Sequence, residues 1–468
     1  MNDWDVVVIG AGGAGLAAAI SAAERGSKVV VFESETEVGG STQLSAGMFT
    51  AAGTSVQKAV GVNDTADRFF QHYMDLNQWK LRPGLVRKFC QQSGPTLEWL
   101  IGLGVDFPAA ISSNAHEPGL TQAGVEDVWR GHVPRDQGYG LVQVLDRSRR
   151  SQGIDLILNT RVEDLLIESG QVVGVKADNV DVHANSVIIA SGGFSHNRSL
   201  LERFYPEALA AGDDLFIVAG TGSRGDHIRL AESVDAELEG HGTGLLLVTA
   251  YLQQLHHWQA GFPPKSRIYV DKTGRRFMNE DISYAVASGI LHKAGGSAWT
   301  VFDERARTGL PSGYANWTAE SVRHEADAGR MSTAPTLAEL ATKLSIPQTA
   351  LSSEVERWNN QLPRGVDRDF MRNETLVNKG DSTSPDPIQE PPFYAARTVP
   401  AELVCTHTGL AIDESARVRD SAGRTITGLY AAGEAGAGVL GERYVGGGNS
   451  IANALTMGRI AGLSSTTT

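Results

Sequence analysis

The sequence predicts an α/β protein in which a doubly wound parallel sheet is interrupted by an inserted α+β domain. The first observation is an apolar run at residues 6–9, a glycine-rich turn, an alanine-rich helical pattern that stops at Gly26, and a second strand pattern at 28–32. A strand buried on both faces is continuously apolar, and this order of elements is one βαβ unit. The second observation is that strand patterns return between 154 and 190 and again after Gly409.

The third observation is the different character of the segment between those strand-rich regions. Residues 243–402 hold tryptophan-bearing helical or irregular patches, a turn signal at 271–274 and a polar, proline-rich stretch at 380–392. We therefore predict that 243–402 is an inserted domain, and that 1–242 and 403–468 form the two parts of the first domain.

Local patterns predict individual elements. Ser169 and Gly170 lie between two strand patterns, where a two-residue hairpin turn belongs. Residues 60–105 have a helical pattern with expected breaks at Pro83 and Pro95, because proline lacks the amide hydrogen that a helix interior uses.

Composition limits the class of protein and its partners. The net charge of −13 over 468 residues, without a basic stripe, argues against nucleic acid as a partner. Cys90 and Cys405 are too few for a disulfide framework and predict a reducing compartment. Since the chain enters a strand at once and has no apolar run of membrane-spanning length, we expect a cytoplasmic protein with no membrane partner.

The turn after the first strand carries a dinucleotide-binding pattern. Gly10, Gly12 and Gly15 have the spacing that permits a tight turn, close approach to a pyrophosphate and close packing of helix on sheet. The helix amino terminus supplies amide donors, and Glu33 at the end of the second strand can accept from ribose hydroxyls. Strand, turn, helix and acid together predict a bound dinucleotide.

Further glycine-rich turns near both ends of the chain favour FAD over NAD. An NAD domain is usually complete within one contiguous half, whereas a long FAD molecule crosses the sheet. A last predicted helix, 449–462, would direct its amino terminus at the flavin, where negative charge builds on reduction. The predicted cofactor-binding residues are Gly10, Gly12, Gly13, Ala14, Gly15, Glu33, Gly40, Ser41, Thr42, Gly47, Val162, Ser191, Gly192, Gly433, Glu434, Asn449, Ser450 and Ile451.

Five motifs resemble the fumarate reductase and succinate dehydrogenase flavoprotein superfamily, which includes the 3-ketosteroid dehydrogenases. They are the amino-terminal fingerprint and the segments 39–42, 274–280, 407–410 and 433–449. The resemblance covers nearly the whole chain. It implies a Rossmann-like FAD domain interrupted by a capping domain, with the substrate held between the cap and the flavin ring.

The chain departs from the superfamily at three positions. Membrane-bound members attach FAD to a histidine beside the threonine of the second glycine pair; Ser41 stands there, which implies non-covalent FAD. Soluble fumarate reductases have a proton-donating arginine four residues beyond the Asn-Glu of the cap, where this chain has Tyr284. They have another arginine before the last glycine pair, where this chain has Val445, preceded by Arg443 and Tyr444.

The tyrosines resemble the ketosteroid dehydrogenase arrangement instead. In those enzymes a cap tyrosine abstracts a proton, while another tyrosine and a glycine amide four residues later bind the ketone oxygen. The resemblance implies catalytic roles for Tyr284, Tyr444 and Gly448. The candidate substrate-binding residues are His407, Arg443 and His132.

We interpret the chain as an FAD-dependent dehydrogenase that introduces a C=C bond next to a ketone. The substrate would be a small cyclic ketone, possibly bearing a carboxylate, or a 3-ketosteroid. One alternative is an enoate reductase of the fumarate or urocanate type, and another is a non-catalytic flavin-binding redox sensor. His256 and His257 lack metal-ligand spacing, so no metal site is predicted. The sequence leaves open the electron acceptor (oxygen or an external carrier) and the oligomeric state.

Overall fold

The computed structural model of the chain describes residues 4–112, 117–122, 127–378, 381 and 383–466. It is a mixed structure with 38% helix and 23% strand, which confirms the predicted α/β class.

The strands account for four sheets. In chain order they are β1 (Trp4–Ile9), β2 (Val29–Phe32), β3 (Phe49–Thr50), β4 (Gly119–Thr121), β5 (Gly131–Val133), β6 (Asp155–Ile157), β7 (Val162–Glu168), β8 (Gln171–Ala177), β9 (Val180–Ile189), β10 (Phe216–Ile217), β11 (Leu238–Glu239), β12 (Gly244–Ala250), β13 (Arg267–Val270), β14 (Ala298–Asp303), β15 (Ser332–Ala334), β16 (Phe393–Thr406), β17 (Gly409–Ala411), β18 (Arg417–Arg419), β19 (Thr425–Ala431) and β20 (Gly436–Ala437).

The helices range from single turns to the 21-residue α5. In chain order they are α1 (Gly13–Ala23), α2 (Gly40–Leu44), α3 (Ser55–Ala59), α4 (Ala66–Leu76), α5 (Pro83–Leu103), α6 (Gln137–Ser151), α7 (Arg198–Phe204), α8 (Asp226–Ala231), α9 (His257–Ala260), α10 (Tyr284–Lys293), α11 (Glu304–Thr308), α12 (Ala319–Asp327), α13 (Leu337–Lys343), α14 (Gln348–Gln361), α15 (Arg372–Asn378) and α16 (Asn449–Ser464). Short 3₁₀ segments occur at Pro206–Asp214, Glu232–Val234, Leu362–Arg364 and Gly433–Ala435.

The chain divides into two compact units. The first unit is Met1–Leu209, Ile217–Leu245 and Leu403–Thr468, and the inserted unit is Ala210–Phe216 and Leu246–Glu402. The sequence-based boundaries followed residues 242 and 402, and the short segment Ala210–Phe216 was not part of that prediction.

A largely parallel sheet of eight strands forms the centre of the first unit. Its order is β18-β19-β9-β1-β2-β6, and β7 and β8 join it through β9. The first strand runs parallel to both neighbours, with Val6 opposite Val29 on one side and Ser186 on the other. The valines of β1 are fully buried, as expected for a strand covered on both faces.

The predicted hairpin is present between β7 and β8. Glu168 is paired with Gln171, so Ser169 and Gly170 are the two turn residues. Both have positive φ, 50° and 78°, which is the backbone conformation that a type I′ turn requires.

The prediction that a helix breaks at Pro95 is wrong. Helix α5 begins at Pro83, where proline is well tolerated, but it continues through Pro95 to Leu103. The buried side chains of Leu97 and Leu100 on the far side of the proline offset the lost hydrogen bond. Among the residues described, no helix combines the length and the apolar character needed to cross a bilayer.

Helix α16 packs directly on α1, which brings the two ends of the chain together. A β-carbon on Gly458 would lie 2.3 Å from the carbonyl oxygen of Ala14, and one on Gly462 would lie 2.2 Å from that of Ala18. Two glycines one turn apart on α16 therefore face alanines one turn apart on α1, and the backbones touch.

The inserted unit has its own sheet and core. Strand β14 lies between β13 and β16 and is antiparallel to both, while β15 pairs with β16. One face of this sheet is covered by α13 and α14. The buried side chains of that core include Ile268, Val301, Leu340, Leu351, Trp358 and Ala395.

Replacing Gly458 with alanine should destabilise the protein, because the new methyl group would meet a backbone carbonyl rather than a movable side chain. We expect a loss of about 1–3 kcal/mol, the usual range for overpacking, and a lower midpoint of thermal unfolding. The matched control is Gly102→Ala in α5, where the glycine is exposed and no heavy atom of the described residues lies within 4 Å of the added carbon. That change should stabilise the helix by up to about 1 kcal/mol. Equal midpoints for the two variants would contradict the close contact.

Candidate functional site

The glycine turn after β1 is packed so tightly that side chains are excluded. Gly10 has φ 102°, and a β-carbon there would lie 2.5 Å from the carbonyl oxygen of Ala190. A β-carbon on Gly15 would lie 1.8 Å from the carbonyl oxygen of Gly10. Helix α1 begins at Gly13, directly after Gly12. The amide hydrogens of its first turn point out of the amino-terminal end of the helix, where a phosphate can accept hydrogen bonds from them.

Glu33 lies at the end of β2 and is 8% exposed. Its Oε2 accepts the amide of Ala11 at 2.7 Å, and its Oε1 accepts the amide of Glu35 at 2.9 Å. The predicted ribose acceptor thus also ties the glycine turn to the second strand. Oε1 also accepts from the hydroxyl of Ser34 at 3.3 Å, so Oε2 is the oxygen with a further lone pair that a ribose hydroxyl can use.

The second glycine turn docks on the first one. Helix α2 begins at Gly40, and the Oγ1 of Thr42 accepts the amide of Gly13 at 3.2 Å. Ser41 accepts the amide of Gly220 at 2.9 Å. Gly47 lies close to the start of α6, since its β-carbon would lie 2.6 Å from the amide nitrogen of Gly138.

Glu434 is brought to the end of β9 from near the other end of the chain. A β-carbon on Gly193, which follows Ser191 and Gly192, would lie 2.2 Å from the Oε2 of Glu434. The same oxygen accepts the amide of Thr406 at 3.2 Å. Burial raises the pKa of Glu434 to about 7, although the contacts from Thr406 act in the opposite direction.

The amino terminus of α16 carries buried polar atoms that the protein does not satisfy. Gly448 precedes the helix with φ 87°, and Asn449 donates to the hydroxyl of Tyr73 at 2.8 Å. Within the described parts of the chain, the Oδ1 atoms of Asn449 and Asn453 and the Oγ of Ser191 have no hydrogen-bond partner. Buried polar atoms in this state call for a ligand or water.

These observations fit FAD as the bound group. The glycine turns leave space for a backbone-bound pyrophosphate, and the unsatisfied atoms come from the strand ends and the helix terminus that the sequence analysis selected. Gly433 packs near Ala14, and Ile451 lies in the first turn of α16. Val162 opens β7 opposite Ala177, and its carbonyl accepts from Arg229 at 2.6 Å.

Two candidate substrate residues of the first unit lie near the start of α16. Tyr444 is 6% exposed, and its hydroxyl oxygen accepts the amide of Ser450 at 2.8 Å. In that contact the hydroxyl oxygen of Tyr444 is the acceptor. Hydrogen bonds in such a chain strengthen each other, so the helix terminus makes Tyr444 a better donor. The amide and carbonyl of Arg443 are both held by Asn77, which fixes the backbone before Tyr444.

His407 is buried and neutral. Burial lowers its pKa to about 4. Its Nε2 lies 3.6 Å from the Sγ of Cys405, and its Nδ1 has no hydrogen-bond partner among the described residues. A neutral imidazole with an unsatisfied nitrogen can contact an uncharged or an anionic substrate group.

The structure does not support His132 as a substrate-binding residue. Its Nε2 lies 2.9 Å from the hydroxyl of Thr54, and its Nδ1 lies 2.7 Å from the carbonyl of Arg130. Both ring nitrogens are thus used inside the protein, and burial lowers the pKa to about 4. Arg130 beside it is buried in a two-bond ion pair with Asp64. We correct the prediction: His132 is structural.

Tyr284 is the first residue of α10 in the inserted unit, and a buried ion network holds the segment before it. Arg276 makes two-bond contacts with both Glu280 and Asp367, and the side chains of all three are at most 1% exposed. Burial alone would lower the pKa of Arg276, but the two carboxylates raise it. Arg372 extends the network through an ion pair with Asp281 at 2.6 Å. The motif at 274–280 is therefore an anchor for the start of α10.

A second buried cluster in the inserted unit was missed from the sequence. His256, His257 and Glu402 offer ligand atoms that all lie within 4.8 Å of one another. The two histidines were dismissed because adjacent residues lack metal-ligand spacing, and Glu402 was not selected. A signal was available, since Glu402 is the lone acid in the otherwise apolar end of β16.

Comparisons with known proteins agree with this site. A family model described as an FAD binding domain matches residues 5–451. An NADH:fumarate oxidoreductase of Klebsiella pneumoniae (strain 342) is 31% identical over 98% of this chain, which spans only 47% of that relative. A 3-oxosteroid 1-dehydrogenase of Mycolicibacterium smegmatis (strain ATCC 700084 / mc(2)155) is 29% identical over 99% of this chain and 97% of its own length. The structure of a 3-ketosteroid-Δ4-(5α)-dehydrogenase from Rhodococcus jostii RHA1 covers all of this chain and 98% of its own, with 25% identity and a TM-score of 0.81.

The fold and the site define a flavoprotein. More particularly, the chain belongs to the FAD-binding-domain family and is an FAD-dependent oxidoreductase related to fumarate reductases and 3-ketosteroid dehydrogenases. This confirms the resemblance drawn from its motifs.

Proposed function

We propose that this oxidoreductase is a dehydrogenase that introduces a C=C bond next to a ketone. The observation that carries the proposal is the hydrogen bond from the Ser450 amide to Tyr444, which makes that buried hydroxyl a directed donor beside Gly448. A donor pair of hydroxyl and amide suits a ketone oxygen, whereas a carboxylate is usually bound by an arginine fork.

The residues have complementary roles in this reaction. Removing a proton from the carbon next to a carbonyl builds negative charge on the oxygen, and Tyr444 with the Gly448 amide stabilises that charge. Tyr284 takes the proton. When bound, FAD accepts the hydride from the adjacent carbon.

The proposed substrate is a small cyclic ketone, with or without a carboxylate, or a 3-ketosteroid. Arg443 supports a carboxylate, because its half-buried side chain makes no ion pair with any carboxylate in the described ranges. The steroid is supported by the similarity to a 3-oxosteroid 1-dehydrogenase over nearly the full length of both chains. Electrons would leave to oxygen or to an external carrier.

The alternative is an enoate reductase, and His407 favours it. A buried neutral histidine with an unsatisfied Nδ1, together with Arg443, can bind an unsaturated carboxylate. The similarity to an NADH:fumarate oxidoreductase points the same way.

A substrate panel separates these functions. Under anaerobic conditions, cyclic ketones should bleach the oxidised flavin of the purified protein, while unsaturated acids should not reoxidise the reduced flavin. Absorbance at the flavin band measures both. The reverse pattern would establish the enoate reductase, and no response to either class would favour the non-catalytic sensor.

We also propose that FAD is bound without a covalent link, because Ser41 stands where the linking histidine would be and has no imidazole to form that bond. Acid precipitation should leave a yellow supernatant and a colourless pellet. The control is the same precipitation followed by proteolysis of the pellet, which would release flavin peptides if a link existed. Yellow colour that remains with the denatured protein would contradict the proposal.

The two tyrosines should be separable by kinetics and binding. Tyr284→Phe should slow flavin reduction by ketone by about 10²–10⁴-fold, the range for loss of a general base. Tyr444→Phe should slow it by about 10²–10³-fold, as loss of an oxyanion donor does, and should also weaken binding of phenol analogues. Only the second variant should change the dissociation constant of a phenol, measured from the flavin spectrum.

Matched controls exist in each unit. The hydroxyl of Tyr251 donates to Glu325 and that of Tyr430 donates to Ser464, so Tyr251→Phe and Tyr430→Phe remove comparable groups elsewhere. Both should reduce their flavin at the parent rate. Parent activity in Tyr284→Phe would remove the base from the proposed reaction.

A further inference from the structure

A buried carboxylate in the inserted unit is surrounded by donors. Glu402 is fully buried near the end of β16. Its Oε2 accepts from Gln253 at 2.6 Å, and its Oε1 accepts both the amide and the Nδ1 of His257, at 3.0 and 2.8 Å. Burial alone would raise the pKa of Glu402, but the two neighbouring histidines lower it to about 2. Glu402 is therefore an anion at neutral pH.

Glu402 determines which nitrogen of His257 carries the proton. An ionised carboxylate only accepts hydrogen bonds, so the Nδ1 of His257 is the protonated atom and the neutral ring has its lone pair on Nε2. The side chain of His257 is 27% exposed, and its Nε2 is on the side of the ring away from Glu402. His257 is thus prepared to take a proton at Nε2.

His257 faces the tyrosine that the proposed function uses as a base. The ring centroids of His257 and Tyr284 are 6.1 Å apart with an interplanar angle of 37°. A phenol hydroxyl extends beyond its ring, so at this separation it can reach an imidazole nitrogen. The ring of His256 contacts those of His257 and Trp258 instead.

We propose that His257, oriented by Glu402, accepts the hydroxyl proton of Tyr284 while Tyr284 takes the α-proton of the substrate. This inference rests on the proposed function, and His257 and Glu402 act through Tyr284 as positioning residues. The substrate C–H bond breaks and its proton ends on the tyrosine oxygen. The tyrosine O–H bond breaks and its proton ends on Nε2. The electron pair of the broken substrate C–H bond forms the new C=C bond, while the hydride leaves the adjacent carbon with the electron pair of its own C–H bond and goes to FAD when FAD is bound. A neutral tyrosine is a poor base alone, and a base behind it removes that obstacle.

The side chains of His256, His257 and Glu402 could instead hold a divalent metal. One observation favours the metal, and another favours the relay. Two histidines and a carboxylate are a known ligand set, and the Nδ1 of His256 lies 3.1 Å from Glu402 without a hydrogen bond of acceptable geometry to any described residue. Against a metal, three hydrogen bonds from Gln253 and His257 already occupy the carboxylate. The relay accounts for these three hydrogen bonds to Glu402. Metal binding is therefore kept as one of the outcomes that the test can detect.

The test is the pH dependence of flavin reduction by a cyclic ketone in FAD-loaded protein, measured by anaerobic stopped flow. In the parent, flavin reduction should not require prior ionisation of Tyr284, because the Nε2 of His257 accepts the hydroxyl proton during the step. The titratable groups that the described residues bring into contact with His257 include His256, Glu402 and Tyr284. His257→Gln should be about 10²-fold slower at neutral pH and should rise only towards about pH 10, where a free tyrosine ionises. His256→Gln, the matched control, should keep the parent pH dependence.

A second measurement determines directly which ring nitrogen of His257 carries the proton. In protein labelled with ¹⁵N-histidine, the His257 signal, assigned by its loss in His257→Gln, should report a proton on Nδ1 and none on Nε2 at high pH. Glu402→Gln should lose that tautomer preference and slow reduction by about 10²-fold or more. The phenol dissociation constant should stay unchanged in all three variants, which separates the relay from a general loss of the site. If Glu402→Gln does not fold, the tautomer in the parent still tests the arrangement.

Each outcome is decisive. Parent activity in Tyr284→Phe would overturn the proposed function itself. Inactive Tyr284→Phe together with a parent-like pH profile in His257→Gln would overturn only the relay, as would a proton on Nε2 in the parent. A stoichiometric divalent metal in the parent by elemental analysis, lost in both His256→Gln and His257→Gln, would also overturn the relay and assign the cluster to the metal.

Discussion

The contact between α1 and α16 is the constraint on which the first unit depends. Gly458 and Gly462 let the last helix touch the backbone of the first one, so segments more than four hundred residues apart share one surface. Gly433 packs on this pair of helices, since its β-carbon would lie 3.0 Å from that of Ala14. The placement of Glu434 beside Gly193 follows, and so does the meeting of cofactor-binding residues from both ends of the chain.

The elements that the sequence predicts well are those with a strong local cause. The buried strand β1, the glycine turn behind it and the hairpin at Ser169 each follow from apolar runs or backbone requirements within a few residues. Pro95 shows the opposite case, because its local preference is outweighed by the burial of α5 against the rest of the unit. The packing role of the two glycines of α16 could not be predicted either. Nothing in the sequence distinguishes a glycine that permits close helix packing from any other glycine until its partner helix is known.

The residues of the candidate site also fall into those that a local sequence pattern predicts and those that it does not. Glycine turns and Glu33 were found because their spacing reports a ligand directly. His132 was misread, since a histidine that satisfies Thr54 and Arg130 has the same letter as one that meets a substrate. Glu402 was missed because its partners His256 and His257 come from a segment far away in sequence, so that its one local signal, an acid in an apolar stretch, did not connect it to them.

In the inserted unit, the residue proposed as the base, Tyr284, is distinct from the residues that hold its segment in place. Removing charges from water is costly, so a buried network such as Arg276, Glu280 and Asp367 persists only when nearly every donor and acceptor is matched, and this matching specifies one backbone conformation. With the Arg372–Asp281 ion pair included, the network ends three residues before Tyr284. The position of that side chain is therefore determined by groups that never meet the substrate. In the proposed relay, His257 and Glu402 take up the proton that the neutral phenol of Tyr284 must lose before it can act as a base. An arginine that acts as a proton donor would not need such a pair, because it gives up its proton to the substrate instead.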